Sequence, residues 1–167
     1  MKRKSLSVTK KTLNFYLTKL KDPQVRKLYS LFSNNLASMD LTNKKIMVGV
    51  SGGADSLAVL FFAQCYALKH QTKLFPVIID HKLRKESTIE AENLKYKLKQ
   101  NFKIKCKILS KKIVKINKNI QSYARDLRYD LFFEECNKQK IDYLILGHHK
   151  DDVIENVKFK LVSQLND

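Results

Sequence analysis

The stretch Ile46-Met47-Val48-Gly49-Val50-Ser51-Gly52-Gly53-Ala54-Asp55-Ser56 (residues 46–56) decides the fold that we predict for this chain. Residues 46–50 are apolar apart from one glycine, which is typical of a short buried strand. The glycine pair at 52 and 53 breaks the strand, and the apolar stretch 55–70 that follows is predicted to be a helix. The segment therefore reads as a strand, a tight turn and a helix, which is the first half of a βαβ unit.

The same alternation of strands and helices continues along the chain. Further strands are predicted at Leu74–Asp80, Phe102–Leu109 and Ile141–Leu146, and further helices at Thr88–Gln100, Ile120–Gln139 and Asp151–Leu165, with a polar loop at His81–Lys85. Lysine alternates with isoleucine and cysteine in 102–109, which predicts a half-buried edge strand. The predicted fold class is α/β, a parallel twisted sheet of four recognisable strands with helices on both faces.

Two helices are predicted ahead of the first strand, over Leu13–Leu20 and Gln24–Met39, separated at Asp22-Pro23. We therefore expect a basic helical N-terminal extension over residues 1–45 and a main domain over residues 46–167. A length of 167 residues suits one ordinary domain with a small appendage.

The net charge of +17 favours a polyanionic partner, either nucleic acid or an anionic membrane surface. The excess of positive charge is concentrated in two segments. Residues 1–45 carry 11 basic and 2 acidic side chains, and residues 81–120 carry 13 basic and 3 acidic side chains. Two other interpretations stay open. The lysines are either ordinary solvated helix faces or, since lysine outnumbers arginine 28 to 5, the product of an AT-rich genome.

Several classes of protein are disfavoured. No apolar run reaches the roughly 18 residues of a membrane span, so we expect a soluble protein without a membrane partner. Residues 1–21 resemble a transit peptide only weakly, and cleavage is not expected. Cys65, Cys106 and Cys136 lie far apart without a CxxC pair, which predicts core cysteines in a reducing compartment. We expect the bacterial cytoplasm, or the plastid (chloroplast) stroma if the gene is organellar.

The loop Ser51–Ser56 joins a strand end to a helix start, where backbone N–H groups and the helix dipole favour a phosphate. Gly52 and Gly53 allow a tight turn and a close approach to an anion. The loop lacks the lysine of GxxxxGK[ST] and is not GxGxxG. The alternative is a structural glycine turn in which Ser51 or Asp55 caps the helix.

The pattern SGGxDS after an apolar strand resembles the PP-loop signature of ATP pyrophosphatases. Three later segments resemble, in the family's order, motifs of tRNA(Ile)-lysidine synthetases. Residues 79–84 (IDHKLR) resemble their "HHGLR" loop, residues 124–129 (ARDLRY) their "ARxxRY" helix, and residues 146–155 (LGHHKDDVIE) their "GHHxDDxxET" segment. Asp80 and Lys82 depart from the first of these motifs. The resemblance covers residues 46 to about 160.

The resemblance implies roles for particular residues. Catalytic roles fall to Asp55, Arg125, His148 and Asp152, and magnesium binding to Asp55, Asp151 and Asp152. ATP binding falls to Ser51, Gly52, Gly53, Ala54, Asp55, Ser56, Arg128 and His149. We expect these groups to line one cleft at the carboxyl ends of the strands, where parallel sheets bind ligands.

The residue types at these positions suit the same roles. Arg125 and Arg128 are three apart beside an apolar helix stripe and could both reach a phosphate or carboxylate, unless each only pairs with Asp126 or Glu134. The adjacent carboxylates at 151 and 152 suit magnesium, although one is expected to cap its helix. The histidines at 148 and 149 either bind phosphate and relay a proton or are structural residues of a turn.

The activity implied by the resemblance is that of a ligase using ATP and Mg²⁺. ATP would adenylylate the C2 oxygen of the wobble cytidine in CAU-anticodon tRNA(Ile), and free L-lysine would displace AMP to give lysidine. Longer members carry tRNA-binding domains, so we expect a minimal form, a homodimer or a separate tRNA-binding subunit. The alternatives are a related PP-loop tRNA thiolase, which typically uses a cysteine pair, and a catalytically inactive basic RNA-binding remnant.

Overall fold

The computed structural model describes residues 10–39, 41, 43–111 and 120–147. In chain order these residues form α1 (Lys10–Lys19), α2 (Pro23–Ala37), β1 (Lys45–Val50), α3 (Ala54–His70), β2 (Lys73–Asp80), α4 (Lys85–Phe102), β3 (Lys107–Ser110), α5 (Ile120–Gln139) and β4 (Tyr143–Leu146). The predicted helix 151–165 and most of the basic stretch before α5 lie outside the described residues. Among the described helices, none combines the length and the apolar character that a membrane span requires.

The four described strands form one parallel sheet in the order β3-β2-β1-β4. In the register of the sheet, Val48 of β1 lies between Pro76 of β2 and Ile145 of β4. The predicted parallel α/β fold is confirmed, and β3 lies at an edge as its lysine alternation predicted. Because the chain proceeds from β1 to β3 and then returns to place β4 beside β1, the sheet has a topological switch point between β1 and β4.

Helices cover both faces of the sheet, because alternate side chains of β1 point to opposite faces. Ile46, Val48 and Val50 pack in a large apolar cluster with side chains from α1 to α4. Met47 points the other way and packs with Val77 and with Phe132 of α5. The two clusters hold α3 on one face and α5 on the other, so both helices approach the sheet at the switch point.

The N-terminal helices pack against the same core as the sheet. Asp22 caps α2, since its Oδ1 accepts hydrogen bonds from the N–H groups of Gln24 and Val25 at 2.9 and 3.0 Å. Tyr16 of α1 is 1% exposed, and its hydroxyl donates to the carbonyl of Phe102. The separation of an N-terminal extension at residue 45 stays a prediction, while the described helices share one hydrophobic cluster with β1.

The predicted strand 102–109 was wrong in its first half. Helix α4 extends to Phe102, where Lys103 takes a left-handed φ of 56° and Ile104 N–H donates to Leu98 O at 3.2 Å. This is a usual helix ending. Ile104 and Cys106 are buried, so the alternation correctly indicated burial, but only Lys107–Ser110 pairs with β2. Likewise α4 begins at Lys85, three residues before the predicted start.

Candidate functional site

A pocket of about 290 Å³ lies at the carboxyl ends of the central strands, at the switch point of the sheet. Parallel sheets bind ligands at this place because the loops on either side diverge there. Its wall combines strand ends, the two end residues of the loop 51–56 (the glycine loop), the start of α4 and one side of α5. The lining residues include Val50, Ser51, Ser56, His81, Leu83, Arg84, Glu90, Leu94, Arg128 and Gly147.

The glycine loop is held in shape by one buried hydroxyl. Ser56 is 3% exposed, and its Oγ donates to the carbonyl of Gly53 at 2.9 Å. The same oxygen accepts hydrogen bonds from the N–H and the hydroxyl of Ser51 at 3.2 and 3.1 Å. Gly52 takes a φ of +87°, a conformation that side chains disfavour. The loop is therefore preorganised by its own residues.

Helix α3 begins with a glycine at its N-cap position. Its N-cap residue is Gly53, which has no side chain that could accept a hydrogen bond from the first turn. The N-cap position is therefore held by Gly53, and not by Ser51 or Asp55 as the alternative predicted. Asp55 is exposed in the first turn, and Ala54 is exposed beside it. A helix start with glycine at its N-cap position presents backbone N–H groups and a positive dipole end, which suits a phosphate.

Gly147, the residue after β4, packs directly against the start of α3. A Cβ built on Gly147 would lie 2.7 Å from Ser56 Cα and 2.8 Å from Ser56 N, so only glycine fits. The beginning of the 147–152 loop is thus next to the glycine loop, as the sequence predicted. His148, His149, Asp151 and Asp152 lie outside the described residues, and their part in the cleft stays a prediction.

Helix α5 brings one of the two predicted arginines to the pocket. Ala124, Leu127 and Leu131 are buried, in agreement with the predicted apolar stripe. Arg128 is half-buried and lines the pocket. Arg125 is exposed one turn earlier, and it is not among the described residues that form the pocket wall. A role for Arg125 near the nucleotide stays a prediction.

A buried carboxylate fixes the loop after β2. Asp80 is 2% exposed and accepts hydrogen bonds from Thr88 Oγ1 at 2.6 Å, Ser87 Oγ at 2.8 Å and Lys82 N–H at 2.9 Å. Burial alone would raise the pKa of Asp80, but these hydrogen bonds and the charge of Lys82 together lower it. Lys82 keeps a left-handed φ of 50° where the "HHGLR" pattern has glycine. Asp80 and Lys82, the two departures from that pattern, are thus joined by a hydrogen bond in the turn after β2.

Replacing Asp80 with asparagine is expected to destabilise the fold by about 1–3 kcal/mol at pH 7, because a buried charged acceptor is lost. The folded-state pKa lies below the ordinary value of 3.8, so the charge of Asp80 stabilises fully above that value. This contribution is lost as pH falls through the folded-state pKa. Urea unfolding of the wild type and of Asp80→Asn between pH 7 and pH 3 should show that the gap between their free energies of unfolding narrows below pH 4. A gap that stays constant with pH would contradict this role.

The loop 80–84 also supplies pocket residues to which the sequence reasoning assigned no role. His81 is half-buried, and its Nδ1 is buried without a hydrogen-bond partner in the described structure. Burial lowers the pKa of His81 and the charge of Arg128 lowers it further, against an opposing effect of Asp80. Arg84 contacts Glu90 at the pocket wall. The sequence signal that could have identified these residues was their position, because the loop follows the end of a predicted strand and precedes a predicted helix.

The described residues give little support to a metal cluster or to cysteine catalysis. They include no group of three or more His, Cys, Asp or Glu side chains placed to hold a metal ion. Burial raises the pKa of Cys65 and of Cys106 to about 12, and that of Cys136 to about 11. These thiols are protonated at neutral pH, which disfavours nucleophilic cysteine chemistry.

Comparison with known families gives a match to the PP-loop domain over residues 20–165. Similar sequences include the tRNA(Ile)-lysidine synthase of Orientia tsutsugamushi, 38% identical over 72% of this chain and 27% of the relative. The tRNA(Ile)-lysidine synthase of Rickettsia typhi is 35% identical, and that of the Wolbachia of Brugia malayi is 36% identical. Each of these two alignments covers 80% of this chain and 31% of the relative. The chain thus spans less than a third of the length of these relatives.

A solved structure has a similar fold. The U34-tRNA thiolase NcsA from Methanococcus maripaludis, determined with its 4Fe-4S cluster, superposes with a TM-score of 0.61. The alignment covers 90% of this chain and 52% of the thiolase, at 23% sequence identity. At that identity the likeness concerns the fold.

Proposed function

This chain belongs to the PP-loop domain family, and on that basis we propose that it is an ATP-dependent ligase that forms lysidine on CAU-anticodon tRNA(Ile). The observation that carries the proposal is the start of α3 at the switch point, which has Gly53 at its N-cap position and packs against Gly147 after β4. The relatives named tRNA(Ile)-lysidine synthase favour lysine as the second substrate.

The described residues fit the phosphates of ATP. N–H groups of the first turn of α3 can bind the pyrophosphate, and the half-buried Arg128 can neutralise charge from the opposite wall. Asp55 is an exposed carboxylate at this helix start and would hold Mg²⁺ together with Asp151 and Asp152. When bound, the ion offsets the negative charge on the phosphates.

The reaction needs two displacements. The cytidine C2 oxygen attacks the α-phosphorus of ATP, forming one P–O bond as the bond to pyrophosphate breaks. The lysine ε-amine then attacks C2, the C–O bond to AMP breaks, and the amine loses a proton. We assign stabilisation of the leaving pyrophosphate to Arg128 and the glycine loop, and we assign supporting catalytic roles to Arg125, His148 and Asp152.

The proposal is tested by mass spectrometry of nucleosides from tRNA(Ile) transcript incubated with the chain, ATP, MgCl₂ and lysine. We expect conversion of the wobble cytidine to lysidine, with equal amounts of AMP and diphosphate. A thiolated nucleoside formed with a sulfur donor would instead support the thiolase alternative. Salt-sensitive RNA binding without any ATP turnover would identify an inactive RNA-binding module, and either result overturns the ligase proposal.

Contacts with tRNA beyond the pocket belong to the same proposal. The basic segments 1–45 and 81–120 supply positive charge for phosphate contacts. A second copy of the chain or a separate tRNA-binding subunit would supply the remaining surface. The compartment, either the bacterial cytoplasm or the plastid stroma, stays a prediction.

A further inference from the structure

Two oppositely charged side chains, Arg84 and Glu90, line the pocket and have no role in the proposed reaction. Arg84 Nη2 lies 2.9 Å from Oε2 of Glu90 and 3.2 Å from its Oε1. Both side chains line the pocket, and both remain well exposed, at 65% and 58% of their surface. An exposed ion pair is weak because water screens it. A ligand that offers a better partner to each charge can therefore replace the pair.

The backbone of Arg84 is fixed although its guanidinium is accessible. The hydroxyl and the N–H of Ser87 hydrogen-bond to the carbonyl of Arg84 at 2.9 and 3.2 Å. The same hydroxyl lies 2.8 Å from the buried carboxylate of Asp80. Arg84 is thereby tied to the end of β2, at a set position relative to the strands that build the pocket.

An apolar wall connects this ion pair to the glycine loop. Leu94 lies one turn after Glu90 on α4, and its Cδ2 is 3.2 Å from the position of a Cβ built on Gly52. One helical turn is about 5.4 Å long. Leu83 and Ala91 also line this part of the pocket. The ion pair and the glycine loop are thus separated by a short apolar surface that suits a methylene chain.

We propose that Arg84 and Glu90 bind the α-carboxylate and the α-ammonium of an amino acid substrate. The inference rests on the proposed function and names the part of the pocket that takes lysine. Carboxylate and ammonium on one carbon complement this pair without net charge. The four-methylene stem, on the order of 6 Å long with bonds of about 1.5 Å, would follow Leu94 and deliver the ε-amine to the glycine loop.

The test uses three amines in the lysidine assay with the full chain. Lysine carries both α-groups, 1,5-diaminopentane lacks the carboxylate, and 6-aminohexanoate lacks the α-amine. We expect Arg84→Met to raise KM for lysine about 10- to 100-fold and to abolish the preference over 1,5-diaminopentane. Glu90→Gln should have the matching effect against 6-aminohexanoate. KM for ATP should stay unchanged in both variants.

Glu92→Gln is the matched control, because Glu92 forms an exposed ion pair with Lys95 on the same helix at 3.2 Å. It should behave as the wild type with all three amines. Unchanged discrimination in the Arg84 and Glu90 variants overturns the proposal. A raised KM for ATP also overturns it, because the pair would then serve the nucleotide.

ATP–diphosphate exchange with tRNA needs no lysine and therefore reports the proposed function separately. Exchange with unaltered amine discrimination rejects only the amino acid site. If exchange is absent, the ligase function fails, and equilibrium dialysis of radiolabelled lysine then tests the pair directly. Saturable binding that Arg84→Met removes supports the site, and absent or unaltered binding rejects it.

Discussion

Asp55→Asn is expected to lower ATP-dependent tRNA modification about 100-fold or more while leaving the fold intact. Asp55 is exposed in the first turn of α3, where its carboxylate would contribute charge to the proposed phosphate site rather than packing to a core. Loss of charge stabilisation at a transferring phosphoryl group has effects of this size. The measurement is single-turnover lysidine formation at saturating ATP and Mg²⁺, with thermal unfolding alongside.

Glu86→Gln is the control for this variant, since Glu86 is the exposed acidic residue in the first turn of α4. It removes one carboxylate from the equivalent position in α4, and turnover should stay within about twofold. The stability of both variants should lie within about 0.5 kcal/mol of the wild type. Full turnover in Asp55→Asn would remove the assignment of the glycine loop as the catalytic phosphate site.

Gly147→Ala is expected to lower the free energy of unfolding by about 1–3 kcal/mol or more and to abolish most activity. The added methyl would lie 2.7 Å from Ser56 Cα and 2.8 Å from Ser56 N. Both are backbone atoms, so no side-chain rotation relieves the overlap. The strain must instead separate the end of β4 from the glycine loop, and this separation opens the proposed site.

Gly53→Ala provides the comparison within the same site. A Cβ at Gly53 meets only Ser51 Oγ, at 3.6 Å, and the residue has an ordinary φ of −69°. We expect a stability loss below about 1 kcal/mol, since alanine is merely a poorer N-cap residue. Urea unfolding measures both variants. Equal stability of Gly147→Ala and the wild type would show that β4 and α3 do not meet as described.

The local pattern of the chain was enough to predict much of the fold. Alternation of short apolar runs with apolar stretches at helical spacing predicted each described strand and helix within a few residues. The exception was the strand before α5, where buried Ile104 and Cys106 continued the alternation although α4 had only just ended. Burial alternates in extended chain whether or not a neighbouring strand pairs with it, so this pattern alone could not set the strand boundary.

By itself the sequence determined the parallel α/β class and the glycine loop at the end of β1, because these depend on neighbours in the chain and on backbone freedom at Gly52. Only the tertiary structure decided that β4 lies beside β1, that Gly147 rests on Ser56, and that Arg128 rather than Arg125 lines the pocket. These contacts join residues far apart in the chain. They depend on which way each crossover turns and how each helix rotates against the sheet, and a one-dimensional pattern leaves both open.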